Sequence, residues 1–136
     1  MGINLDDEVY ESIKKIQNNE QSLSELKCTH YFSLLLEGKI DEIKKLTLGK
    51  IEEQTEKYDL VLQNLDGKET LVEGVFQDTL ADIIKRKKLL ENYLLLLEKN
   101  ELPEEGKGLV AKYAALLNGS LSIMEEIIEF SENYSS

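Results

Sequence analysis

The sequence predicts an all-α fold, an elongated antiparallel helical bundle or coiled-coil hairpins of about four helices. Three features predict it. Pro103 is the only proline in 136 residues, so almost nothing in the chain forbids a helix. Leu, Ile, Glu and Lys dominate, and all are good or tolerable helix formers. Apolar residues recur at threes and fours through four long stretches, the spacing that lays an apolar stripe along a helix. With 41% hydrophobic and 32% charged residues, residues 1–136 read as a single helical domain.

The first helix is expected to start after Asn4 or Asp6, either of which can cap free N–H groups, and to run to Glu37. Its stripe is Leu5, Val9, Ile13 and Ile16, then Leu23, Leu26, His30 and Leu34. Asn18 and Asn19 could break it, because short amides compete for the backbone, and Ser22 or Ser24 could equally cap a second helix; one long helix is the favoured reading. Gly38 is its expected C-terminal stop.

A second helix is expected over residues 40–65, with Ile40, Ile43, Leu46 or Thr47, Ile51, Tyr58, Val61 or Leu62, and Leu65 on one face. Gly49 inside it costs about 1 kcal/mol relative to alanine. Asp66-Gly67 is a turn signal, with Gly67 suited to a C-cap. The third helix is expected over residues 69–99, carrying Leu71, Val75, Leu80, Ile83, Ile84, Leu90, Leu94 and Leu97, interrupted by Lys85-Arg86-Lys87-Lys88. Residues 100–108 hold Pro103, Gly106 and Gly108 among glutamates and read as a flexible loop. The last helix is expected over residues 109–131, with Gly119 able to bend it. A helix of about 25 residues reaches about 37 Å, so four of them in a chain this short make an elongated body.

Charge narrows the function classes. The net charge is −11, which a phosphate backbone or an anionic membrane would repel. No nucleic-acid partner and no membrane insertion are expected; the longest apolar run, Leu94 to Leu97, is far too short to span a bilayer. Cys28 is the only cysteine, so no disulfide forms within the chain, and a reducing cytoplasm is the simplest compartment. The acidic N-terminal residues lack the apolar stretch of a signal peptide.

Catalytic chemistry finds little support. Cys28 and His30 stand two apart on a helix and point to different faces; packing at the core boundary is the plainer reading. A bundle metal site needs repeated Glu-x-x-His motifs, whereas Lys27 stands three residues before His30, the one histidine. Phosphate-loop, Gly-x-Ser-x-Gly and Cys-x-x-Cys motifs are absent. The expectation is a protein that is not an enzyme and takes no cofactor. Four consecutive basic residues at 85–88 wrap around a helix and read as a solvated segment paired with acidic neighbours.

The C-terminal region combines an apolar stripe with a negative rim, seven glutamates against two lysines from Asn100 to Ser136. Such a helix can complete its own bundle or pack on a partner helix.

Two segments are similar to FlgN-type flagellar export chaperones. Leu34-Leu35-Leu36-Glu37-Gly38-Lys39-Ile40-Asp41-Glu42-Ile43-Lys44-Lys45-Leu46-Thr47 resembles the family's leucine-rich helix, glycine and Asp-containing turn. A charged helix follows, from Lys50-Ile51-Glu52-Glu53 through Tyr58 to Leu65. Ala115-Leu116-Leu117-Asn118-Gly119-Ser120-Leu121-Ser122-Ile123 resembles the family's Leu-Leu-x-x-Ser-Leu segment. The chain differs from the family's habit at Asp66-Gly67-Lys68, where an arginine is common, and at Ala114-Ala115, where an asparagine is. The resemblance implies a small cytoplasmic chaperone of flagellar type III export. Such a chaperone binds helical C-terminal regions of hook–filament junction subunits, prevents their premature assembly and delivers them to the export apparatus. By position, the partner-binding residues it implies are Leu109, Val110, Tyr113, Leu116, Leu117, Leu121, Met124, Ile127 and Ile128. The competing expectation is a structural or adaptor bundle acting by homo- or hetero-oligomerisation, as a homo-oligomer through the Leu94–Leu97 run.

Overall fold

The computed structural model describes the backbone of residues 5–66 and 71–134, and the side chains of these residues other than 5, 6, 20–24 and 134. The protein is an all-α helical bundle. The described residues form α1 (Leu5–Asn18), α2 (Glu20–Leu36), α3 (Ile40–Lys44), a π-helical turn (Lys45–Gly49), α4 (Lys50–Leu65), α5 (Leu71–Glu98) and α6 (Glu104–Tyr134). Because α3, the π turn and α4 are continuous, these make five rods.

The expected single first helix is two. Asn19 sits between α1 and α2 in a turn, where its N–H still reaches the Lys15 carbonyl at 3.0 Å. Asp6 lies inside α1, and Asn4, the other expected cap, falls outside the described residues. Gly38 stops α2 as expected, at φ +73°. Its N–H bonds to the Leu35 carbonyl (3.1 Å) and that of Lys39 to the Leu34 carbonyl (2.8 Å), the paired bonds of a Schellman end. Asn100 repeats the device at the end of α5, with φ 56° and bonds from Asn100 to Leu97 and Glu101 to Leu96. Asparagine is the residue after glycine that best tolerates this conformation.

The π turn answers a spacing in the sequence. Ile43, Thr47 and Ile51 are all buried, four residues apart each time. Each step of four overshoots an α-helical turn of 3.6 residues, and the wider π turn keeps all three on one face. The Thr47 hydroxyl is satisfied internally, donating to the Ile43 carbonyl at 2.7 Å. The C-cap expected at Gly67 falls outside the described residues.

Residues 100–108 are not a flexible loop throughout. The connection closes at Pro103, and Gly106 and Gly108 lie in the first turns of α6. Pro103 stands just before the helix, where its ring is tolerated. Glu104 and Glu105 then occupy the first turn, where carboxylates interact favourably with the helix dipole. Gly106 is buried against Leu102; a Cβ there would lie 2.6 Å from Leu102 Cδ1.

The core is arranged around α6. Helices α1, α2, α4 and α5 and the π turn all pack on it. Tyr93 stacks on Tyr113 with ring centroids 5.6 Å apart, and Arg86 reaches Leu116 and Ser120, so α5 and α6 form an antiparallel hairpin. Along α4, Gln54 donates to Glu125, Lys57 pairs with Glu132 and Asn64 donates to Ser131. That order makes α4 run in the same direction as α6.

Candidate protein-binding surface

The central place of α6 decides the fate of the stripe expected to bind a partner. Val110, Leu117, Met124 and Ile127 are fully buried, Leu121 is 1% exposed and Ile128 5%. Tyr113 is half-buried under Tyr93, and Leu116 is half-buried with its carbonyl accepting from Arg86. Only Leu109 is exposed, at 39%. Together these residues are the core of this chain rather than a free surface. The physical reason is geometric: a helix with neighbours on several sides buries most of its circumference. A broad apolar stripe at the end of the sequence therefore marks the hub of the bundle.

The polar residues of the same segment serve the bundle too. Arg86 leaves the basic run and donates to the Leu116 carbonyl at 2.9 Å and to Ser120 Oγ at 2.6 Å; Lys85 and Lys88 stay exposed. The Asn118 amide donates to the Leu46 carbonyl inside the π turn at 3.5 Å, and its oxygen accepts from Lys27 Nζ on α2. Leu116 to Ser120 thus ties α6 to three other elements. Burial pushes the Tyr31 hydroxyl, on the same side of α2, up to about 12, with the Asn118 hydrogen bond opposing the shift. Lys27 is lowered by burial and by Lys50, against the pull of Glu125.

Exposed apolar side chains lie elsewhere: Leu60 and Leu62 on α4, Leu71, Ile84 and Leu95 on α5, and a group of three on α2. Of the stripe expected through Leu26, His30 and Leu34, only Leu34 is buried: Leu26 is 71% exposed and His30 is exposed. The residues that reach the core are Tyr31, Leu34 and Leu35, with Cys28 packed at its edge. Facing away stand Leu26, Phe32 (39% exposed) and Leu36 (67%), separated by the exposed Thr29 and Ser33. Glu25, Cys28, Thr29 and Phe32 line a shallow concavity of about 400 Å³. Helix α2 thus carries apolar side chains on its outer side, among polar ones, as well as on its inner side. The signal was present in Leu-Lys-Cys-Thr-His-Tyr-Phe-Ser-Leu-Leu-Leu, where no single stripe accounts for all the apolar residues.

Two other surfaces are less apolar. A groove of about 340 Å³ between α4 and α6 is lined by Lys50, Glu53, Lys57, Glu125, Glu129 and Glu132 among others, with Ile128 in its wall. In the Leu94–Leu97 run only Leu95 stands out to solvent, at 49%, and Leu94 is buried. Among the described residues, no three His, Cys, Asp or Glu side chains are grouped to hold a metal ion, and no helix is long and apolar enough to cross a membrane. No family model, curated protein or solved structure matches the chain.

Proposed function

We propose that this chain is a non-enzymatic protein-binding bundle, a cytoplasmic export chaperone of the flagellar kind. In this role it holds a helical terminus of a junction subunit unassembled until the export apparatus takes it. The observation that carries protein binding is the outer face of α2, where Leu26, Phe32 and Leu36 lie open along one helix. Phe32 and Leu36 are one turn apart and Leu26 flanks them, with Thr29 and Ser33 between; apolar side chains gathered on one side of a solvated helix suit an interaction site. The flagellar client rests on the resemblance of Leu34–Thr47 and Ala115–Ile123.

With the α6 stripe committed to the core, the client contact belongs on α2. A subunit terminus that assembles as a coiled coil carries an apolar stripe, and laying it along Leu26, Phe32 and Leu36 removes both stripes from water. A contact of one helix on one helix is small, and small interfaces release.

The test is a titration of the purified chain with helical C-terminal segments of flagellar junction subunits from the same organism. Saturable binding that is lost in a Leu26→Asp/Leu36→Asp variant of unchanged melting temperature supports the chaperone. Absence of binding at high micromolar concentration removes it. A wild-type dimer that the same variant dissociates would instead favour an adaptor acting by self-association.

A further inference from the structure

Resting on that reading of α2 as a docking face, we infer that its occupant is an amphipathic helix with a lysine or arginine beside its central aliphatic anchor. The basic group is selected by Glu25. Glu25 is exposed on the wall of the concavity it shares with Cys28, Thr29 and Phe32. Among the described residues its carboxylate has no ion pair. The rest of that wall asks for nothing polar: the Thr29 hydroxyl is already spent on the Glu25 carbonyl at 3.1 Å. The single lysine of α2, Lys27, is turned the other way and donates to Asn118. Among its described residues, the outer face of α2 thus presents Leu26, Phe32 and Leu36 among neutral polar side chains, with the carboxylate of Glu25, which has no ion pair, at its N-terminal edge.

A neutral helix seated there would strip water from Glu25 and return no partner, and an acidic one would add repulsion. A lysine or arginine one turn from the anchor restores the lost interaction. The same argument disfavours a second copy of this chain. It would bring its own Glu25 and a net charge of −11 toward an identical surface, so the complementary partner is a basic-flanked helix. An ion pair at a partly exposed rim is worth about 1 kcal/mol or less. Charge therefore selects among helices, while the apolar contact supplies most of the affinity.

The experiment measures fluorescence anisotropy of the full-length chain with three labelled helical peptides. They share one leucine stripe and carry lysine, serine or glutamate one turn from the central leucine. The lysine peptide is expected to bind tightest, about fivefold over serine, with glutamate weakest and the spread shrinking as salt is raised. Glu25→Gln should erase the ranking, and Leu26→Asp/Leu36→Asp should abolish binding of all three. Equal binding of the three peptides to wild-type protein would overturn the charge selection and leave the docking face standing. If none binds, or if binding survives the double aspartate variant, the docking face itself is wrong. A dimer that the double variant dissociates would make the occupant a second copy and overturn the inference.

Discussion

Arg86 on α5 donates to Ser120 Oγ at 2.6 Å and to the Leu116 carbonyl at 2.9 Å on α6. One guanidinium thereby fixes the register of the hairpin midway along its length. A second cross-link, the Tyr93–Tyr113 stack, stands about two helical turns nearer the connection at Lys99–Pro103. Hydrogen bonds to charged groups contribute about 1.5–3 kcal/mol. Arg86→Ala should therefore lower stability by about 2 kcal/mol, and Ser120→Ala by about 1 kcal/mol, because the Leu116 contact survives. Urea unfolding followed by circular dichroism reads both, and the double variant should fall short of the sum.

The two apolar surfaces should separate cleanly by mutation. Leu117→Ala and Ile127→Ala empty fully buried positions and should each cost about 2–5 kcal/mol. Leu26→Ala and Leu36→Ala remove side chains that are 71% and 67% exposed, and should leave stability within about 0.5 kcal/mol. A large loss from the α2 changes in the isolated chain would mean that this face is already covered.

Truncation probes the place of α6 directly. A chain ending at Lys107 loses Val110, Leu117, Leu121, Met124 and Ile127 from the core, and with them the helix on which α1, α2, α4 and α5 pack. The expected outcome is loss of cooperative thermal unfolding. A truncated chain that still melts sharply would place α6 outside the essential core.

Gly38 offers a test confined to the backbone. Its φ is +73°, and a Cβ there would meet nothing within 4 Å. Gly38→Ala should thus cost only the penalty of the left-handed conformation, about 1–2 kcal/mol, measurable as a shift in the urea midpoint.

Alkaline pH should weaken the fold through two tyrosines. Burial pushes Tyr31 and Tyr58 up to about 12 from an ordinary 10. Between those values the unfolded chain has released the phenolic protons and the folded chain still holds them. Raising the pH then draws the equilibrium toward unfolding. The contribution is complete below pH 10 and is lost as pH rises to about 12. The difference in stability between wild type and Tyr31→Phe should change across that window, as followed by urea unfolding at each pH.

Much of the architecture was legible in the residues. The helix stop at Gly38, the helices expected over residues 40–65 and 69–99, the second of which is described over Leu71–Glu98, and the all-α class follow from apolar spacing and from one position that tolerates a left-handed backbone. These depend on interactions within a few residues, which a sequence carries in full. The split at Asn19, the early start of α6 at Glu104 and the π turn were less legible, because neighbours in space decide whether a marginal helix continues.

The sequence by itself determined that the chain is helical and acidic, and where the stop at Gly38 falls. Which apolar face goes inside was decided only by the tertiary structure. Periodicity puts Ile127 and Leu26 each on an apolar face, but does not show how many neighbours surround each helix. Packed among four helices, α6 buries its stripe, whereas α2 meets the bundle on one side and leaves Leu26, Phe32 and Leu36 in water.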